Sequence, residues 1–289
     1  MTGQDKLVYL DYAATTPVDP RVAETISALL TAEGDFANPS AIHPAGRRSS
    51  EHVAKAAGQL ASLLGTSPDR LVWTSGATES DNHAIAGTAH ARAHRGKHLV
   101  TMPTEHKAVA DVFRALEKQG FAVTWLEPDA QGVLDPEQLA TALRDDTQLV
   151  SIMHVNNETG ATQDIARIGE ICHEHGVIYH VDATQSVGKL PLDLEKLPVD
   201  LVSMTAHKLY GPKGVGALYI ADRPDLVIEP LMHGGGQQRR LRPGTLPVPL
   251  IAGFGHAAEI AATTMADDLQ QLRNLRDRLW AGIRDIDGL

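Results

Sequence analysis

A chain of 289 residues with 26 basic and 36 acidic side chains has a formal charge of −10 and no basic run long enough to follow a phosphate backbone, which excludes a nucleic-acid partner. Its 43% apolar residues suffice for a sizeable core, in one large domain or two ordinary ones. The first residues lack the apolar stretch of a signal peptide, no run of about eighteen apolar residues occurs, and the lone Cys172 forms no internal disulfide; the expectation is a cytoplasmic chain without a membrane span.

In chain order, short apolar runs predict strands over 71–74, 98–102, 122–126, 149–155, 177–182, 201–205 and 216–220. Helix-length segments separate several of them. Residues 107–118 set Val109, Val112, Phe113 and Leu116 on one face, and residues 135–144 open with Asp135 as an N-cap before a proline. The segment IARIGEICHEHG, running into the strand at 177, gathers Ile165, Ile168, Ile171 and Cys172 on an apolar face, so Cys172 reads as a packed structural thiol. Residues 262–287 repeat Leu269, Leu272, Leu275, Leu279 and Ile283 at helical spacing. Alternating strands and helices predict an α/β fold, a mostly parallel seven-stranded sheet covered by helices on both faces. Ligands in such sheets bind beyond the carboxyl ends of strands.

The polar residues follow the strands. SGATESDN comes after 74, PTEH after 102, NNETG after 155, DATQS opens at Asp182, and AHK follows 205. Each has a plain structural alternative. SGATES could be a loop and helix cap, Asp182 an ordinary strand end, Asn157 and Gln185 turn formers, and His106 a surface histidine. Together they supply what pyridoxal phosphate needs: an amine in Lys208, an acid for the pyridine nitrogen in Asp182, and a phosphate cup in SGAT with Thr205 and His207. Asn157 and Gln185 are amides for the phenolic oxygen, and His106 is a plate for the ring.

The motifs LDYAATTP, SGATESDN, TEHKAV, NNETG, HVDATQSVGK, TAHKLYGPKGVGALY and GGGQQRRLRPGTLPVP, over about residues 7 to 260, resemble the cysteine desulfurases of the class V, fold type I pyridoxal-phosphate family. The resemblance implies that Lys208 links the cofactor covalently and that His106 stacks on its ring. It places Asp182 at the pyridine nitrogen, Asn157 and Gln185 near the phenolic oxygen, and Ala77, Thr78, Thr205 and His207 at the phosphate. Thr245 would reach the phosphate of a second chain, so the expected state is a homodimer. The implied substrate is L-cysteine, converted to alanine while an enzyme persulfide forms for acceptors such as iron–sulfur scaffold proteins.

In the family the nucleophilic cysteine and a substrate-binding arginine lie in a smaller C-terminal domain. The expectation is therefore an N-terminal segment over 1–20, a cofactor-binding large domain over 21–260, and a connecting helix over 261–289 leading to a domain this chain lacks. Gln238, Arg240 and Pro243 replace the glutamate, glycine and serine of the family pattern, and GGGQQRR reads as a flexible loop near the cofactor mouth. No metal is expected: His90, His94 and His98 read as the solvated end of a helix, while Cys172, His173 and His175 point in different directions. Another class V lyase or transaminase, such as a selenocysteine lyase, and a non-catalytic cofactor-binding or dimerising partner remain as alternatives.

Overall fold

A computed structural model describes residues 8–286. Residues 1–7 of the expected N-terminal segment and 287–289 of the expected connecting helix lie outside the described residues. The strands are β1 (Leu71–Thr74), β2 (His98–Thr101), β3 (Ala122–Trp125), β4 (Thr147–Ser151), β5 (Ile178–Asp182), β6 (Leu201–Thr205) and β7 (Gly216–Ile220). They form one sheet in the order β1-β7-β6-β5-β4-β2-β3. β7 runs antiparallel to both β1 and β6, and the other pairings are parallel, so β1 and β6 point the same way and their carboxyl ends share an edge.

The helices are α1 (Pro20–Ser27), α2 (Pro44–Leu64), α3 (Ala77–Ala91), α4 (Lys107–Lys118), α5 (Pro136–Ala142), α6 (Ile165–Glu174) and α7 (Val248–Ile283). Successive strand residues face opposite layers. Leu99, Leu149, Ile178 and Leu201 pack with Ile85 of α3 and Phe113 of α4, whereas Val100, Val150, Tyr179 and Val202 pack with Leu60 of α2, Ile168 of α6 and Phe254 of α7. Each fully buried Leu or Phe contributes about 1.5–3 kcal/mol, which is why central strands apolar on both faces belong in the middle of three layers. Local signals set the helix ends. The Asp135 carboxylate accepts from the Glu137 N–H at 3.1 Å, the Asp164 carboxylate from the Arg167 N–H at 3.0 Å, and α2 stops at Gly65 with φ 60°.

Three expectations need correction. β4 ends at Ser151 rather than 155, because the chain then turns through Asn156, whose side-chain oxygen accepts from the N–H groups of Glu158 and Thr159. His98 is not at a solvated helix end: it is fully buried in β2, with its ring nitrogens on the hydroxyls of Thr147 and Thr124. The helix expected over 262–287 begins earlier: it is the second part of α7, which starts at Val248 and ends at Ile283. Burial in α7 runs from Val248 to Ala261, after which Leu272, Leu275, Leu279 and Trp280 are exposed. Among the described residues, no helix is long and apolar enough to cross a membrane.

Candidate active site

Beyond the carboxyl ends of β1, β5 and β6 lies a cavity of about 800 Å³. Its first wall is the start of α3. Gly76, the residue before that helix, has φ 155° and offers no capping side chain, so the N–H groups of the first turn are left for a ligand. A Cβ on Gly216, at the start of β7, would lie 2.6 Å from the Gly76 Cα and from the Met204 carbonyl oxygen; only glycine lets the sheet support this turn so closely. Register places Gly216 between Thr74 and Thr205, and Thr205 donates through its hydroxyl to the Val215 carbonyl at 3.3 Å. Glu79 braces the same turn. It accepts from the Ser75 N–H at 2.8 Å and pairs with Arg242 at 2.8 Å; burial pushes its carboxyl up, but those partners hold it below the ordinary value.

The opposite wall carries the charge. Asp182 ends β5 with only 5% exposure, and its Oδ1 accepts from the Thr184 N–H at 2.9 Å. Burial pushes its carboxyl up, against the downward pull of Thr184, His106 and Lys208. Asp81, on α3, also lines the cavity. It is fully buried, neither carboxyl oxygen has a hydrogen-bond partner of normal geometry among the described residues, and the Ser203 hydroxyl lies near while His180 Nε2 stands 3.6 Å away. Burial, and to a lesser degree the neighbouring Asp182 carboxylate, push the Asp81 carboxyl well above its ordinary value.

Lys208 follows β6 in a tight 3-10 turn, Ala206–Lys208. Its amine donates to the Ala13 carbonyl, and burial lowers its pKa despite Asp182, Asp11 and Glu158 nearby. Gln185 Nε2 donates to the same carbonyl at 3.0 Å. His207 Nδ1 meets the Thr15 hydroxyl at 3.1 Å, and the Thr16 N–H and hydroxyl both donate to the His207 carbonyl at 3.0 Å. The stretch from Asp11 to Thr16 is thereby strapped across the lysine turn. At the mouth, His106 caps α4 by accepting from the Ala108 N–H at 3.1 Å through Nδ1, which places its ring proton on Nε2.

The cavity brings together Ala77, Thr78, His106, Asn157, Asp182 and Gln185 with Thr205, His207 and Lys208. It does not include Thr245, which is exposed on the loop before α7. GGGQQRR, expected near the cofactor mouth, contributes no residue to the cavity lining. Gln238 bonds both the N–H and the carbonyl of Trp73 and so seals the outer edge of β1, while Gln238, Arg239 and Arg240 all have positive φ. Arg240, at φ 65°, thus occupies a conformation that suits the glycine of the family pattern. Sequence reasoning left Asp11, Ala13, Thr15 and Asp81 unassigned; the quoted LDYAATTP and SGATESDN motifs contain them, but nothing in spacing alone brings residue 13 to residue 208.

A helix-covered, mostly parallel sheet with a lysine after one strand and a buried aspartate after its neighbour defines the large domain of a fold type I enzyme. The chain belongs to the class-V aminotransferase family, whose model matches residues 8–289. It is 57% identical over 281 residues to the cysteine desulfurase IscS of Cronobacter sakazakii and to that of Escherichia coli K12, covering 97% of this chain and 70% of each relative. A solved NifS-like protein superimposes with a TM-score of 0.93 at 40% identity, covering 97% of this chain and 76% of that one. A structure of SspA in complex with cysteine matches with a TM-score of 0.84 at 43% identity, over 88% of this chain and 72% of that one.

Proposed function

We propose that this cavity holds pyridoxal phosphate and serves the desulfuration of L-cysteine. The observation that carries the reading is one cavity presenting the Lys208 amine, the buried Asp182 carboxyl and the uncapped start of α3. The donor set fits the group: N–H groups at the helix start with Thr78, Thr205 and His207 suit a phosphate, and a nearly dry carboxylate suits a protonated ring nitrogen. The relatives named as cysteine desulfurases, and the one solved with cysteine, support the substrate.

When bound, the cofactor supplies an electron sink conjugated to the Cα of an amino-acid substrate. The chain's own residues do the rest. Asp182 keeps the ring nitrogen protonated, and the cofactor's positive charge in turn draws the Asp182 carboxyl down from its raised value. Lys208 would hold the cofactor covalently and, once the substrate's own amine has taken its place, would move the proton at Cα; burial enlarges the fraction of free amine that is neutral and able to accept it. His106 covers one face of the ring, while Asn157 and Gln185 serve the phenolic oxygen. Thr245, exposed here, reaches the phosphate of a second copy in a homodimer.

Sulfur leaves on a thiolate other than Cys172, which is fully buried in α6, away from the cavity, with its thiol pushed up by burial. Alanine and a persulfide are the products, the latter for a sulfur acceptor such as an iron–sulfur scaffold. In domain terms, 21–260 is the cofactor-binding body and the stretch from 261 a connecting segment, helical as far as Ile283, a division supported by the loss of burial in α7 after Ala261. The test is reconstitution with pyridoxal phosphate, borohydride reduction and peptide mapping. An adduct on Lys208 is expected, together with cysteine-dependent alanine release when a thiol acceptor is present; an adduct on Lys107 or Lys213 would refute the assignment.

A further inference from the structure

Lys189 lies outside the cavity lining and has no part in the roles above. The chain leaving β5 coils, with the Val187 N–H on the Ala183 carbonyl at 3.0 Å and the Leu190 N–H on the Ser186 carbonyl at 2.8 Å. Residues 185 and 189 therefore stack as neighbours one turn apart. The Lys189 amine donates to Gln185 Oε1 at 2.9 Å. An ammonium has donors only, so the amide must turn its oxygen toward Lys189 and its NH2 the other way. That NH2 donates to the Ala13 carbonyl at 3.0 Å, and Lys208 Nζ donates to the same oxygen. The Gln185 NH2 and the Lys208 amine thus sit side by side around one acceptor.

In pyridoxal phosphate the phenolic oxygen is on the ring carbon adjacent to the one bearing the aldehyde. Once Lys208 has taken that aldehyde, the phenolic oxygen lies beside the lysine nitrogen and needs a donor. We infer that Lys189 is a positioning residue that locks the Gln185 amide with its NH2 toward the phenolic oxygen, an inference that rests on the proposed function. Without Lys189 only the Ala13 carbonyl still selects the NH2 side, so a half-turn that presents the amide oxygen, which repels an ionised phenol, becomes less costly. Burial and the facing charge of Lys208 push the Lys189 amine down to about 8, so it is still mainly charged at neutral pH and loses its orienting power above that value.

The experiment follows the visible absorption of the pyridoxal-phosphate-loaded protein against pH, with the cofactor dissociation constant, for wild type, Lys189→Met, Gln185→Ala and the double variant. A donor to the phenolic oxygen lowers its basicity, so losing the donor keeps the oxygen protonated to higher pH. Lys189→Met should raise the midpoint of the spectral change by about half a pH unit or more and weaken cofactor binding by roughly three- to tenfold, and should add nothing once Gln185 is alanine. Lys189→Arg, which keeps a cationic donor and serves if the methionine variant does not fold, should retain the wild-type midpoint. An unchanged midpoint in Lys189→Met, a shift of equal size with and without Gln185, or an arginine variant displaced upward would overturn the inference while leaving the proposed function standing. A wild-type protein that develops no visible band with pyridoxal phosphate would overturn the proposed function and this inference with it.

Discussion

Replacing Asp182 with asparagine should improve the empty protein and impair the loaded one. The carboxyl is nearly dry, and its pKa lies above the ordinary 3.8 because burial outweighs the Thr184 hydrogen bonds and the charges of His106 and Lys208. Each unit of such a rise costs about 1.4 kcal/mol of folded stability at neutral pH relative to an unperturbed aspartate. A raised folded-state pKa means the folded chain holds its proton longer than the unfolded chain. The favourable contribution is complete below 3.8 and is lost as pH climbs through the folded value, so the empty wild type should lose stability across that interval. Asparagine keeps an oxygen for the Thr184 N–H, discards the charge, and relieves the repulsion that helps to raise Asp81. The cofactor-free variant should therefore melt at the same temperature as wild type or higher near pH 7, with a flatter dependence on pH. With cofactor the sign reverses. Loss of a charge-assisted bond to the ring nitrogen costs about 1.5–3 kcal/mol, or roughly ten- to a hundredfold in affinity, and proton removal from the substrate slows by a larger factor because the sink is weakened. Calorimetric melting across pH 4–8 with and without pyridoxal phosphate reads both arms. A variant that melts well below wild type without cofactor, yet binds it with undiminished affinity, would refute the reasoning.

Three further outcomes test separate parts of the site. His106→Ala should weaken cofactor binding about tenfold by removing the aromatic cover, while borohydride still traps the cofactor on Lys208; loss of trapping would make His106 more than a cover. Gly216→Ala would put a methyl 2.6 Å from the Gly76 Cα and a backbone oxygen, so it should destabilise the fold by about 1–3 kcal/mol in denaturant melts and weaken phosphate-dependent binding; wild-type behaviour would mean that the α3 start does not depend on this contact. Cys172 should resist alkylation until the protein unfolds and should carry no persulfide after L-cysteine is added to the loaded protein. A labelled Cys172 accompanied by alanine release would overturn its structural role.

The fold was largely legible because its strands advertise burial twice. Runs such as LVSMT and VIYHV are apolar at successive positions, which suits a strand covered on both faces, and the helices between them repeat at the period of a single covered face. Where the sequence misled, a side chain had taken over a backbone's work. The end of β4 is set by the Asn156 turn, and the outer edge of β1 is closed by the Gln238 amide rather than by a strand, so neither shows in the apolar pattern. His98 misled for the reverse reason: two threonine hydroxyls from other strands satisfy a ring that composition assigns to solvent.

The candidate site divides along the same line. Lys208, Asp182, Gln185 and the α3 start were legible because each follows a strand, and strand ends in such sheets converge by construction. The residues that hold them were not. Ala13 acts through its carbonyl, and every residue has one; Lys189 acts through Gln185 one turn away; Asp81 sits in a helix of otherwise unremarkable pattern, buried without a partner behind Asp182. Asp81 is raised by burial and by Asp182, Lys189 holds an amide that could face either way, and the Ala13 carbonyl gathers two donors that would otherwise compete for water. On the proposed reading, a cofactor entering this cavity would meet a lysine and a glutamine already gathered at the Ala13 carbonyl, so that most of the ordering of those side chains would be completed during folding and not charged against binding.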